Sequence, residues 1–268
     1  MANTLHSLSR SAANNKSDVL KGTPHDDVLH GSLGHTTFYG GLGDDIYYSK
    51  NADDTIVEYA NEGNDTVYAD TTFTLPTHVE NLTLEGNGNT FGFGNNSNNI
   101  LIGNSGNNRL SGEEGNDFLY GMGGNDTLSG GNGNDHLNGG DGDDYLAGGL
   151  GSDTIITGAG RDTVAFTAAD IREGSIDRLL DFNPETDKLD LSGMRSLLTG
   201  SNANLSWSKM FVDKDPEVIL QKDHPYLIFD TEQQTLAYRA AGSSSSTVFA
   251  KSDSDDPSKW LDASNIIG

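Results

Sequence analysis

The sequence predicts an all-β protein, a parallel β-roll closed at its C-terminal end by a β capping region. Three observations carry that expectation. Eight nine-residue repeats run without a break from Gly94 to Ala165. Position six of the repeat reads Asn99, Asn108, Asp117, Asp126, Asp135, Asp144, Asp153 and Asp162, while position eight reads Leu101, Leu110, Leu119, Leu128, Leu137, Leu146, Ile155 and Val164. Glycine recurs at positions one, two and four, most plainly in GGNGNDHLN (130–138) and GGDGDDYLA (139–147). A period held this strictly implies a stacked array, because one repeat alone cannot bury its apolar residue.

The residue types explain the turn. Glycines permit backbone angles closed to other residues, so the first six positions can form a tight loop. The last three positions alternate outward, inward, outward, as in a short strand, and send the position-eight side chain into the interior. Two repeats then make one turn, and successive turns stack their strands in parallel about 4.8 Å apart. Stacking lays Asp117 over Asp135, Asp126 over Asp144, Asp135 over Asp153 and Asp144 over Asp162. One aliphatic side chain per repeat is a small return against the entropy of ordering a glycine-rich loop, and stacked carboxylates repel. A hard divalent cation that accepts several oxygen ligands answers both problems, and calcium suits carboxylates and turn carbonyls. The absence of Cys and the seven His disfavour zinc and copper. Folding is therefore expected to be coupled to calcium binding. A flexible acidic linker, or ordinary hairpins with Asn-Gly and Asp-Gly turns, would share this composition. Neither predicts an aliphatic residue two places after position six in every repeat.

Residues 1–20 are polar and lack the apolar run of an ordinary secretory signal peptide, so they read as a tail. A degenerate array occupies 21–70: GTPHDDVLH (22–30), GSLGHTTFY (31–39), GGLGDDIYY (40–48), SKNADDTIV (49–57) and, after a two-residue slip, ANEGNDTVY (60–68). Its position-six acids are Asp27, Asp45, Asp54 and Asp65, with Thr36 breaking the series; Leu29, Phe38, Tyr47, Ile56 and Val67 keep position eight apolar. The roll is expected to continue here with fewer or weaker ions, and Asp27 with Asp45 forms the best pair. His25, His30 and His35 recur every five residues, out of step with the repeat, and read as exposed loop residues. Over 71–93, Phe73 and Leu75, then Val79, Leu82 and Leu84, predict two strands flanking Pro76 that continue the stack with a longer side loop. The main roll occupies 94–165. From 166 to 268 glycine thins out, and strands are expected at Val218–Gln221, Tyr226–Asp230, Gln234–Tyr238 and Thr247–Lys251, with a hairpin around Asp230–Gln233. Such a region would cap the open end that every stacked array presents.

Composition narrows the function. With 40 acidic and 16 basic residues, the net charge of −24 argues against nucleic acid and anionic membrane as partners. No apolar stretch is long enough to span a bilayer. A chain without Cys fits a secreted protein cross-linked by metal. There is no H-E-x-x-H, no G-x-S-x-G and no Cys nucleophile, so no enzyme is expected. Asp187 and Asp190 are acids without a base–nucleophile set, which favours a structural or calcium role. An ice-binding roll would need regular outward Thr ranks, whereas position seven reads Ile100, Arg109, Phe118, Thr127, His136, Tyr145, Thr154 and Thr163.

The repeat G-G-x-G-x-D-x-U-x, with U aliphatic, resembles that of the RTX (haemolysin-type calcium-binding) family of bacterial type I secreted proteins, for which it is the known signature. The resemblance extends beyond the repeats. The segment Asp177 to Ser192, D-x-x-x-D-F-x-x-x-x-D-x-L-D-L-S, is similar to the segment after the roll in serralysin-type proteases and alginate epimerase regulatory modules. YLIFDTEQQTLAYRAAG (226–242) and LDASNII (261–267) are similar to the common carboxyl end of these proteins. The resemblance implies calcium held by the side chains of Asp117, Asp126, Asp135, Asp144, Asp153 and Asp162 and by carbonyls of Gly131, Gly133, Gly140, Gly142, Gly149 and Gly151. Asn99 and Asn108 depart from the pattern and offer no charge, so the first turn should bind more weakly. Arg239-Ala240-Ala241 replaces an acidic stretch of the family's hairpin. An uncleaved C-terminal signal read by a type I exporter is implied, and with it a secreted, extracellular location from a Gram-negative-type bacterium. The expected function is a structural protein of a biofilm matrix or of adhesion, self-associating or binding exopolysaccharide. The alternative is the carboxyl-terminal folding and secretion module of a larger enzyme (protease, lipase, epimerase), toxin or adhesin. Trp207 and Trp260 are expected to pack the cap.

Overall fold

The computed structural model describes residues 18–173, 175–183, 185–194, 211–212, 226–230, 235–239, 246–252 and 266–267. Two parallel ladders face each other across a single core. One stacks Val28–His30, Ile46–Ser49, Thr66–Ala69, Asn81–Leu84, Ile100–Ile102, Phe118–Tyr120, His136–Asp141, Thr154–Ala159 and Asp177–Leu179. The other stacks Phe73–Thr74, Phe91–Phe93, Arg109–Glu114, Thr127–Asn132, Tyr145–Leu150, Thr163–Thr167 and Lys188–Gly193, and ends on Ile266–Ile267. At the N-terminal end Asp18–Lys21, Thr36–Tyr39 and Thr55–Val57 form a separate three-stranded parallel sheet. The first of these strands begins inside the stretch read as a polar tail.

The register is set by position eight. Leu101, Leu119, Leu137 and Ile155 stand in line on one ladder, and Leu110, Leu128, Leu146 and Val164 on the other. All eight are fully buried. Burying such a side chain contributes about 1.5–3 kcal/mol, and the column joins one continuous core running from Leu29 to Ala250.

The central strands are longer than the three residues that the alternation predicts. Thr127–Asn132 and Tyr145–Leu150 span six residues and run into positions one to three of the next repeat. Position one therefore also faces inward, and glycine is needed there for space. A Cβ on Gly130 would lie 2.2 Å from Asp135 Oδ2 and 2.5 Å from the Gly148 carbonyl oxygen.

The two-repeat turn survives interruption. The regular spacing of 18 residues between stacked position-six groups becomes 20 from Asp45 to Asp65 and 15 from Asp65 to Glu80. It becomes 24 from Asp153 to Asp177 and 25 from Asp162 to Asp187. The spacer at 71–93 supplies the two expected strands, Phe73–Thr74 and Asn81–Leu84, and a third, Phe91–Phe93, but it tightens a turn of the roll; no longer side loop is formed. After the roll a six-residue helix, Ala168–Glu173, is inserted before Asp177. The cap contains the predicted hairpin: Tyr226–Asp230 pairs antiparallel with Thr235–Arg239, which pairs antiparallel with Thr247–Ser252. Thr247–Ser252 lies parallel to Asp177–Leu179 and so extends the first ladder, while Phe249 meets Phe166 edge-on at 5.4 Å. The expected strand Val218–Gln221, Trp207, Trp260 and Ala240-Ala241 lie outside the described residues.

Candidate calcium sites

The position-six side chains form two columns along the roll edges. One Asp oxygen is used by the fold: Oδ1 of Asp117, Asp135, Asp153 and Asp177 accepts the backbone N–H of Asn99, Asp117, Asp135 and Asp153, at 2.6–2.9 Å. On the other edge Oδ1 of Asp126, Asp144, Asp162 and Asp187 accepts from Asn108, Asp126, Asp144 and Asp162 at 2.7–3.2 Å. Each carboxylate thus ties its turn to the previous one. The predicted stacking of Asp117 over Asp135 and of Asp126 over Asp144 is present, with N–H groups set between the charges.

The second oxygen is left over. Oδ2 of Asp117, Asp126, Asp135, Asp144 and Asp162 is buried and accepts no hydrogen bond. A buried acceptor without a partner costs about 1–3 kcal/mol, more when charged. Desolvation dominates the electrostatics accordingly. It pushes the carboxyls of Asp117, Asp126 and Asp162 up to about 7 and that of Asp135 up to about 6, and it raises Asp144. The free oxygens share their spaces with carbonyls. A Cβ on Gly112 would meet Asp117 Oδ2 at 2.2 Å and the Gly130 carbonyl oxygen at 2.5 Å; on Gly121 it would meet Asp126 Oδ2 and the Gly139 carbonyl, each at 2.4 Å. In each case the two nearest atoms are a carboxylate and a carbonyl oxygen, donor types that fit calcium.

The glycines at positions two and four sit on the loop crests. Gly131, Gly133, Gly140, Gly142, Gly149 and Gly151 all have φ between 100° and 142°, closed to other residues at low cost. The carbonyls of Gly131, Gly133, Gly140 and Gly142 point at the glycines one turn on, Gly149, Gly151, Gly158 and Gly160, where a Cβ would lie 1.9–2.1 Å away. The N–H of Gly133 donates to the Leu150 carbonyl at 2.7 Å and that of Gly142 to Ala159 at 2.8 Å. The loops therefore stack backbone on backbone, while the carbonyls found beside the Asp columns are those of position one, Gly130 and Gly139.

Asn99 and Asn108 close the columns differently. Asn99 Oδ1 accepts the Asn95 N–H at 2.7 Å and its Nδ2 donates to the Glu80 carbonyl at 3.1 Å. Asn108 Oδ1 accepts the Asn104 N–H at 2.7 Å and its Nδ2 donates to the Thr90 carbonyl at 3.2 Å. Their amides are thus satisfied by protein groups. In the degenerate array the four acids divide. Asp27 Oδ2 accepts both the N–H and the hydroxyl of Thr23. Asp54 Oδ2 accepts from the Ser49 hydroxyl and the N–H groups of Lys50 and Asn51 at 2.9–3.2 Å. Asp27 and Asp45 stack as the repeat spacing predicts, Asp45 Oδ1 accepting the Asp27 N–H at 2.7 Å, but the buried, unpartnered Oδ2 atoms belong to Asp45 and Asp65.

Three features go beyond what the repeat spacing predicts. Asp177 and Asp187 continue the columns past the repeats; both keep an apolar residue two places on, Leu179 and Leu189, which is the surviving signal. Position five carries its own ladder, in which side-chain oxygens of Asn98, Asn107, Asn116, Asn125, Asn134 and Asp143 accept backbone N–H groups one turn on at 2.7–3.0 Å. Its signal is the run of asparagines at that position. Glu58, in the two-residue slip, is buried beside Asp45 and Asp65. Asp190 lies apart from the columns and accepts the Tyr145 hydroxyl at 3.1 Å.

The family model for the RTX calcium-binding nonapeptide repeat matches residues 21–56, 93–128 and 129–164. Among solved structures, the solution structure of the AlgE6R3 subunit from the Azotobacter vinelandii mannuronan C5-epimerase is similar at 22% identity, over 65% of this chain and 80% of that one, with a TM-score of 0.28. Comparison with curated proteins gives no match. The repeats, their register and the stacked Asp columns mark residues 21–56, 93–128 and 129–164 as RTX calcium-binding nonapeptide repeats.

Proposed function

We propose that this chain is a secreted structural protein that folds on extracellular calcium and then self-assembles in a biofilm matrix or in adhesion. The supporting observation is the series of buried Asp oxygens left without partners along both edges of the roll. At neutral pH a chain with a net charge of −24 and this many buried carboxylates is poorly stable alone. Low calcium inside the cell would keep it unfolded and fit for a type I exporter; high calcium outside would neutralise the columns and close the loops. The residues proposed to hold the ions are Asp117, Asp126, Asp135, Asp144, Asp153 and Asp162, with carbonyls of Gly131, Gly133, Gly140, Gly142, Gly149 and Gly151. Asn99 and Asn108 mark the weaker end, and Asp45 and Asp65 extend binding into the degenerate array. Self-association is supported by Ile100 and Phe118, outward-facing register partners on one ladder, each about 40% exposed or more on a face whose neighbouring charge calcium would reduce.

Size-exclusion chromatography with light scattering, in EDTA and then in millimolar calcium, tests this. An expanded monomer should become large multimers. A compact monomer would move the assignment to a folding and export module whose activity lies elsewhere. An unchanged profile would remove the calcium-driven reading altogether.

A further inference from the structure

We propose that Asp45, Glu58 and Asp65 form a three-carboxylate calcium site of a different construction from the repeat sites, and that it takes the first ion. One oxygen from each of the three lies within 4.8 Å of the others, and all three side chains are buried. Each carboxylate is anchored through one oxygen and bare at the other. Asp45 Oδ1 accepts the Asp27 N–H at 2.7 Å, and Asp65 Oδ1 accepts the Asp45 N–H at 2.8 Å. Glu58 Oε1 accepts the Gly40 N–H at 3.2 Å and the Tyr47 hydroxyl. Asp45 Oδ2, Glu58 Oε2 and Asp65 Oδ2 have no partner, and among the described residues no Lys or Arg pairs with them.

Two departures from the repeat meet at this point. Glu58 belongs to the two-residue slip that lengthens the turn from 18 to 20 residues. Tyr47 occupies position eight, where the main roll has only Leu, Ile or Val, and it is fully buried. Its hydroxyl reaches inward to hold the inserted carboxylate. An insertion that merely loosened the roll would turn a glutamate outward to water. Here it is buried to 7% exposure and aimed at two other carboxylates. Gly40, which donates to Glu58, also lines a surface cleft of about 340 Å³ with Gly41 and Glu62. The number of charged ligands and the rigidity of the site set calcium affinity. Three anchored carboxylates therefore exceed what two stacked Asp side chains offer in the repeats.

The inference rests on the reading of the chain as one that folds around calcium, and the test separates the two. Calcium titration calorimetry on the full chain should resolve a tightest event that Glu58→Gln weakens by roughly ten-fold or more, the conversion of about 1.4 kcal/mol or more, while the later events persist. Asp135→Asn should do the reverse. Tyr47→Phe keeps the ring in the core and removes only the hydroxyl, so it should weaken the first event roughly two- to ten-fold, and it carries the test should Glu58→Gln not fold. On the unaltered protein, hydrogen exchange at one equivalent of calcium should protect the Gly40 and Asp45 amides before those of the main repeats. A Glu58→Gln isotherm superimposable on the wild type, or protection appearing first in the main repeats, overturns the site. A wild type that takes up no calcium overturns the calcium reading with it.

Discussion

The main roll and the degenerate array share one stack and one core, yet they leave carboxylate oxygens bare in different ways. In the main roll Asp117, Asp126, Asp135 and Asp144 repeat one arrangement, one oxygen bound to the previous turn and one turned to the glycine at position one. In the degenerate array Thr23, Ser49, Lys50 and Asn51 satisfy Asp27 and Asp54 with protein donors, and the free oxygens collect at a single place beside Glu58. Regular repetition spreads binding capacity thinly along the column. Degeneration closes some of that capacity with hydrogen bonds and concentrates the rest.

The largest effect should come from removing calcium at different pH. Burial holds Asp117, Asp126 and Asp162 up to about 7 and Asp177 up to about 8, against an ordinary 3.8. A carboxyl raised on folding stabilises the fold in its protonated form. That contribution is complete below pH 3.8 and is lost as the pH rises through about 7 to 8. In EDTA the β-sheet circular-dichroism signal should therefore survive near about pH 5 and vanish near about pH 8, and calcium should restore it at the higher pH. A calcium-free roll that is more stable at the higher pH would contradict the buried columns. The degenerate array should show the same sign, since Asp45 is pushed up to about 7 and Glu58 to about 8 by the same desolvation.

Next in size is the contrast between Asp135→Ala and Asp27→Ala. Asp135 holds the Asp117 N–H, donates its own N–H to Asp153, and carries a free buried oxygen. Its loss should cost about 3–5 kcal/mol in the calcium-loaded state and weaken calcium uptake. Asp27 makes local bonds to Thr23, so its loss should cost about 1 kcal/mol and leave the isotherm nearly unchanged. Equal isotherms for the two variants would erase the distinction between the regions.

Much of this is legible in the sequence because the chemistry repeats with the fold. Position eight names the core, and position six names the columns, since a fixed spacing maps directly onto a fixed place in each turn. Legibility ends where a bond crosses an irregular interval. Glu80 takes a column position after 15 residues, and Asp177 and Asp187 after 24 and 25, so no period points to them. Glu58 sits in a slip of the repeat, and its partners, Tyr47 and the Gly40 amide, lie in earlier repeats, so no local pattern marks it. The strands run longer than the alternation implies because glycine has no side chain to show which way position one faces.

The smallest effect sharpens the comparison at the backbone. Gly140 and Gly86 both have positive φ, 100° and 79°. A methyl group on Gly140 would lie 2.2 Å from the Met122 carbonyl oxygen in the loop below; one on Gly86, in the spacer turn, would meet nothing within 4 Å. Gly86→Ala therefore carries only the left-handed backbone penalty of about 1–2 kcal/mol. Gly140→Ala adds a backbone clash that no side-chain rotation relieves, for about 2–5 kcal/mol in all. Urea denaturation in saturating calcium measures both. A Gly140 variant no less stable than the Gly86 variant would mean that the loops of the main roll are not held in backbone contact, and the glycine at position two would then be explained by its turn alone.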